Sequence, residues 1–266
     1  MTTVGAALRH TRTAEDGLRA LGIQGRALTP TAELLVPGDD LAFRVRKAGL
    51  ARLRTRIVRA DAERLESVLI AGPLHELRHE SVLAEAGGHA LLTDSLRWTT
   101  PFGPLGRLAD VVLGRRVVLA VLAGRMRAVG ELAEEWAGRP VVVGTAITRG
   151  GRLLVQQRHF PARDAGKWEL PGGRVEAGES EQDAVIRECK EELGVDVVPT
   201  GRVGTDVPLH NGMLLRVHTA ELTDPGAEPT AVEHRAVHWA PAAELSAFDW
   251  LEADRVLVHS LRDLLA

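Results

Sequence analysis

The sequence predicts an α+β protein built in two halves, each with a core of its own. Residues 41–99 hold alternating apolar and polar runs separated by turn signals, which is the pattern of an antiparallel sheet. Residues 108–136 then carry apolar residues at helical spacing, a long helix that closes the first half. Beyond Gly138-Arg139-Pro140, short strands flank a second and strongly acidic helix. With 266 residues there is room for two ordinary domains, expected at 1–137 and 140–266.

In the first half, Gly5–Thr13 alternates enough to be a strand, and Ala14–Leu21 reads as a short helix stopped by Gly22. After the turn Pro37-Gly38-Asp39, strands Leu41–Arg46 and Leu50–Arg59 form a hairpin around Lys47-Ala48-Gly49. Leu53, Thr55 and Ile57 alternate there with Arg52, Arg54 and Arg56, giving one apolar and one cationic face. Strands Arg64–Ala71, Leu74–Glu85 and His89–Thr99 follow, punctuated by Gly72-Pro73 and Gly87-Gly88. A loop over Pro101–Gly106 leads into the helix from Leu108 to about Trp136, weakened but not ended by Gly114, Gly124 and Gly130.

The second half opens with a hairpin, Val141–Thr148 and Arg152–Arg158, around Arg149-Gly150-Gly151. A loop over His159–Gly166 leads to Lys167-Trp168-Glu169-Leu170 and the tight turn Pro171-Gly172-Gly173. Ser180 with Asp183 makes a capping box, so a helix begins near Glu181, and Gly194 ends it. Val195–Val203, Met213–Glu221 and Ala236–Trp239 are strands, and Leu251–Leu265 a terminal helix.

On the middle helix Glu188, Glu191 and Glu192 stand at i, i+3 and i+4 and share a face. Like charges so spaced repel unless something neutralises them. A hard divalent cation held by oxygens is the natural neutraliser, and Mg²⁺ favours carboxylates, water and phosphates. Val185, Cys189 and Leu193 recur every fourth residue and face the core behind them.

Other features exclude more than they assign. Cys189 is the one cysteine, so there is no intramolecular disulfide and no Cys-based zinc site. Met1–Asp16 lacks a long apolar run and no span approaches a membrane helix, so a cytoplasmic protein is expected. Lysine occurs only at positions 47, 167 and 190, and tyrosine is absent. Residues 1–139 carry net charge +4 and residues 140–266 carry −7. The split supports a boundary near 138–140, and an acidic domain needs metal ions to meet polyphosphate. The Arg-rich hairpin lacks interleaved aromatics and reads as a solvated face rather than a nucleic-acid surface. His75 and His79 share a strand face with no third metal ligand in view.

Gly173–Val195 matches the Nudix box, G-x5-E-x7-R-E-U-x-E-E-x-G-U, at every defined position, with Cys189 at one bulky apolar (U) site. Residues from about Val141 onward thus resemble the Nudix hydrolases, whose fold is an α/β/α sandwich. Gln157-Arg158, Lys167–Glu176, Glu233 before Trp239 and Asp249–Asp254 are most similar to the MutT-like nucleoside triphosphate pyrophosphohydrolases; Glu252 replaces their usual proline. The resemblance implies that Glu188, Glu191 and Glu192 hold Mg²⁺, or Mn²⁺ in its place, with the Gly173 carbonyl. It implies that Arg187 orients Glu188 or Glu192 and that Glu179 braces the loop. Glu233 is either a metal ligand or general base, or a surface glutamate. Arg158 contacts a phosphate or the base, or is a surface arginine; Lys167 also lies in the substrate-binding motif. Asp254 reads the base edge, or caps the last helix's first turn. The implied reaction turns 8-oxo-dGTP, dCTP or CTP into monophosphate and pyrophosphate; a sugar nucleotide, dinucleotide or dinucleoside polyphosphate is the alternative substrate.

The element order of about Val4–Trp136, with Pro37-Gly38-Asp39 and Trp98–Gly106, resembles the helix-grip fold of the START-like, SRPBCC or polyketide-cyclase-like family. That resemblance implies a cavity for an apolar small molecule between sheet and helix; a rival reading of the chain is a ligand sensor whose cavity controls, or has replaced, catalysis in the second half.

Overall fold

The computed structural model describes residues 1–16, 18–19, 22–28, 33–45, 51–101 and 115–266. The chain divides into two compact units, Met1–Gly138 and Arg139–Ala266.

The first unit begins with helices α1 (Thr2–Arg9) and α2 (Thr11–Asp16). Six strands follow: β1 (Ile23–Ala27), β2 (Asp40–Val45), β3 (Ala51–Ala60), β4 (Arg64–Ala71), β5 (Glu76–Ala86) and β6 (His89–Thr99). They pair in sequence order, each antiparallel to the next, as a curled half-barrel. The alternation in β3 holds: Thr55 and Ile57 are buried while Arg52, Arg54 and Arg56 are exposed. Arg54 and Arg56 fork onto the buried Asp40 at 3.0 and 2.8 Å, which offsets part of that cationic face. Helix α3 (Arg115–Trp136) closes the unit; Trp136 is buried and meets the His10 ring edge-on at 5.2 Å. Between the sheet and α3 lies a cavity of about 320 Å³.

Three local expectations give way. Gly5–Thr13 is helical, not a strand: Gly5, Ala6, Ala7 and Leu8 are consecutive buried residues, and the Thr13 hydroxyl donates to the Ala7 carbonyl at 2.6 Å. Tertiary burial outweighs the weak alternation there. The short helix lies at Thr11–Asp16, ahead of its expected place, and β1 was not anticipated. His75 precedes β5 and is exposed, whereas His79 faces the cavity, so the two do not form a pair. The turn 47–49, the loop 102–106 and the expected helix start at 108–114 lie outside the described residues.

The second unit contains β7 (Val141–Arg149), β8 (Arg152–Gln157), β9 (Trp168–Glu169), β10 (Gly172–Arg174), β11 (Val197–Arg202), β12 (Val207–Pro208), β13 (Leu214–Leu222) and β14 (Ala236–Pro241). The main sheet runs β11-β13-β7-β8-β14, with β13 and β7 parallel; β10 pairs with β7 and β9 with β8. Helix α4 (Glu181–Leu193) packs Ala184, Val185, Cys189 and Leu193, all fully buried, against Val143, Ile147 and Leu154 of the sheet. Burying Val185 and Leu193 contributes about 1.5–3 kcal/mol each. The terminal helix is split into α5 (Glu252–Arg255) and α6 (Val258–Leu264). Among the described residues no helix is long and apolar enough to cross a membrane.

Candidate active site

Helix α4 starts where its capping box dictates. The Asp183 amide donates to Ser180 Oγ at 3.1 Å and the Ser180 amide returns a bond to Asp183. It stops at Gly194, whose φ of 71° places it in the left-handed region. Those two ends fix the register of Arg187, Glu188, Glu191 and Glu192.

Arg187 is the hub of the exposed side. Its Nε and Nη2 donate to the two Glu179 oxygens at 2.9 and 3.0 Å, and Nη1 donates to Glu188 at 2.8 Å and Glu191 at 3.1 Å. Nη2 also donates to the Arg174 carbonyl at 2.9 Å, tying the helix to the end of β10. These bonds hold Glu179 below the usual carboxylate range and raise the guanidinium's own pKa. Burial raises the Glu188 pKa, with Arg187 opposing it. Glu188 lies against Gly173 so closely that a Cβ there would sit 2.1 Å from its Oε1. Gly172 is pressed by backbone instead: its Cβ would lie 2.0 Å from the Val143 carbonyl oxygen, and its φ is 152°.

Glu192 turns inward, away from Arg187. Its Oε2 accepts from Gln156 Nε2 and from the Gly172 amide, both at 2.9 Å. It is 7 % exposed, and burial pushes its pKa up to about 7. His234 Nδ1 lies 3.7 Å from Glu192 Oε1, within ion-pair distance but without a hydrogen bond. The other ring nitrogen, Nε2, is 2.9 Å from Glu169, which also accepts from Arg158 Nη1 at 2.6 Å. Asp254, buried, accepts the Leu170 amide at 3.2 Å; burial, then Glu169, pushes its pKa up to about 7. A continuous line of groups thus runs from Gln156 through Glu192, His234 and Glu169 to Arg158.

The structure therefore gathers Gly173, Arg187, Glu188 and Glu191 with Glu179, and Glu192, Arg158 and Asp254 with Glu169 and His234. Two predicted residues stand apart. Lys167 donates to Asp164 at 3.0 Å, and Glu233 is exposed while its neighbour His234 turns inward. The loop that carries Glu233 and His234 is fixed by the Val232 amide on the Glu192 carbonyl and the Arg235 amide on the Gln157 carbonyl. Glu169 and His234 were not singled out by the sequence. No local spacing links residues 65 positions apart, although Glu169 stands beside the recognised Gly-Gly turn. Of the two glutamates expected to be oriented by Arg187, Glu188 or Glu192, it bonds Glu188, together with Glu191 and Glu179.

Among the described residues no three His, Cys, Asp or Glu side chains are arranged to hold a metal ion; Arg187 occupies the centre of the carboxylates. The donor chemistry nonetheless fits a hard cation: Glu188 and Glu191 offer carboxylate oxygens one turn apart, and Gly173 leaves room for Glu188 beside its own backbone. Behind this face Cys189 is fully buried, and burial pushes its thiol up to about 12.

Residues 138–261 match the NUDIX domain. Over 124 residues the chain is 48 % identical to the Mycobacterium tuberculosis protein named "Putative 8-oxo-dGTP diphosphatase 2", covering 46 % of this chain and 86 % of that one. It is 32 % identical over 125 residues to the CTP pyrophosphohydrolase of Escherichia coli, covering 47 % and 93 %. The solution structure of the E. coli ORF135 protein aligns with 48 % of this chain and 91 % of its own, at 32 % identity and a TM-score of 0.41.

Proposed function

This chain belongs to the NUDIX family of hydrolases, and from that premise we propose that its second unit converts a nucleoside triphosphate of the 8-oxo-dGTP, dCTP or CTP type to monophosphate and pyrophosphate. Two relatives bear names of that chemistry. The observation that carries the reading is the set of three glutamates on α4, with Glu188 and Glu191 held by Arg187, Glu188 seated against Gly173, and Glu192 held by Gln156 and the Gly172 amide.

In this reading Glu188, Glu191, Glu192 and the Gly173 carbonyl would hold Mg²⁺, or Mn²⁺ in its place, and Glu233 would serve as a further ligand or as the general base. The bound ion supplies water activation and offsets phosphate charge. Everything else falls to the chain. Arg187 keeps Glu188 and Glu191 aligned from one guanidinium, the support that metal ligands need. Glu179 fixes Arg187 in turn and also accepts the Glu176 amide at 3.0 Å. Arg158 and Lys167 supply positive charge to the phosphates, and Asp254 meets the base edge from its buried position. As general base, Glu233 accepts the proton of the attacking water at a carboxylate oxygen.

For the first unit we propose the helix-grip reading, with an apolar small molecule taken into the cavity between the sheet and α3. Pyrophosphate release over a panel of nucleoside triphosphates, sugar nucleotides and dinucleotides tests the catalytic reading. Wild type with Mg²⁺ is expected to cleave a triphosphate best, and chelation or Glu191→Gln to reduce the rate by at least about a hundredfold. No pyrophosphate from any nucleotide, or full activity in excess chelator, sinks it.

A further inference from the structure

We infer that the cavity of the first unit binds an uncharged, mainly apolar molecule through one hydrogen-bonding oxygen received at Thr55. The inference rests on the ligand-cavity reading of that unit and adds the chemical class of the ligand. Most of the cavity wall is aliphatic or aromatic, from Phe43 and Leu53 on the sheet to Val121 and Leu122 on α3. Its volume of about 320 Å³ is roughly twice that of an engineered apolar cavity that takes benzene. It suits a two-ring compound or a chain of about ten to fourteen carbons.

The polar exceptions are Thr13, already bonded to the Ala7 carbonyl, and Thr55, Ser67, His79 and Arg125. Thr55 is 2 % exposed and lines the cavity, yet its Oγ1 has no hydrogen-bond partner among the described residues. A buried hydroxyl left in that state is costly, and a ligand oxygen relieves the cost. Ser67 and His79, also on the wall, are cross-strand partners on β4 and β5, next to β3.

Charge decides the class. Arg125 is buried on the wall, and its Nη1 donates to Ser81 Oγ at 2.8 Å and to Asp94 Oδ1 at 3.1 Å. Asp94 also accepts from Ser81 Oγ at 2.5 Å, and it lies 3.4 Å from His79 Nε2 without a hydrogen bond between them. The one cation of the described wall is thus already neutralised by a carboxylate. A ligand carboxylate would add a second negative charge in a low-dielectric site, whereas a hydroxyl or carbonyl adds none.

The test titrates the full chain calorimetrically with 2-naphthol, naphthalene and 2-naphthoate, using wild type and the near-isosteric Thr55→Val. Pyrophosphate release is measured in parallel. In wild type, 2-naphthol is expected to bind about five- to tenfold tighter than naphthalene, the worth of one hydrogen bond. Naphthoate should bind weakest. Thr55→Val should bring naphthol and naphthalene within about twofold while leaving nucleotide hydrolysis unchanged. If neither neutral compound binds, the cavity reading itself fails. If both bind but naphthol has no advantage, or keeps it in Thr55→Val, the role of Thr55 is overturned; tightest binding by naphthoate overturns the charge argument. None of these outcomes depends on whether the second unit hydrolyses nucleotides.

Discussion

Gly173→Ala separates a catalytic defect from a folding one. The added methyl carbon would lie 2.1 Å from Glu188 Oε1, 2.3 Å from Cδ and 2.6 Å from Oε2, where ordinary contact begins at 3.4 Å. The carboxylate must therefore retreat by at least about 1 Å, a displacement that costs on the order of a hundredfold in rate when it falls on a reacting group. That equals about 2.7 kcal/mol of barrier. Folding should hardly notice. The obstructing atoms are the end of a flexible side chain, and replacing glycine where alanine's backbone geometry is allowed stabilises by about 0.4–1 kcal/mol through the unfolded chain. The expected result is a hundredfold lower kcat for pyrophosphate release, a weaker apparent Mg²⁺ midpoint, and a melting temperature within about 3 °C of wild type. A variant that keeps kcat within threefold refutes the reasoning, as does one that loses activity only because it melts early.

Gly172→Ala should behave the opposite way, because its methyl meets the Val143 backbone at 2.0 Å where β10 pairs with β7. The melting transition of the second unit should fall by about 5 °C or more, and unchanged melting would contradict this. His234→Leu removes the ring between Glu169 and Glu192, so kcat/KM should fall about tenfold and stability by about 1–2 kcal/mol in urea. Equal rates and midpoints would remove His234 from the site. The first unit should lose stability in two steps on acidification. Burial, then Arg125, lowers the His79 pKa, so the unfolded chain takes up that proton first as pH drops through about 6.5. Asp94, despite burial, is held down to about 2 by His79, Arg125 and Ser81. Its contribution, about 2 kcal/mol, is complete above pH 4 and lost as pH falls toward 2. Melts across this range should show His79→Gln abolishing the upper step and shrinking the lower one, because His79 leads the groups that hold Asp94 down.

How much the sequence reveals depends on how local each cause is. Helix α4 is legible because its start, stop and faces are written within 15 residues, from Ser180 to Gly194. The strands Arg64–Ala71 and His89–Thr99 fall where alternation and flanking glycines put them. Strand β1 is hidden because Gly25 looks like a breaker. In the fold a Cβ at that position would lie 2.2 Å from the Ala14 carbonyl oxygen, so glycine is required by the helix packed over it. The terminal helix breaks between Arg255 and Val258, just beyond the point where Asp254 accepts the Leu170 amide, a contact spanning 84 residues. His234 is invisible for the same reason: its partners Glu169 and Glu192 come from distant segments, whereas its neighbour Glu233 is visible through the family resemblance of its segment.

The placement of Cys189 gives this molecule a built-in clock. As the chain's single thiol, sealed at 0 % exposure beneath the acidic helix, it can meet an alkylating reagent only when α4 lifts from the sheet. Its thiol pKa of about 12 keeps the nucleophilic thiolate scarce near neutrality. The rate of iodoacetamide labelling therefore counts the openings, local or global, that free α4 from the sheet, and any ligand that clamps the glutamates on its outer face should slow the count.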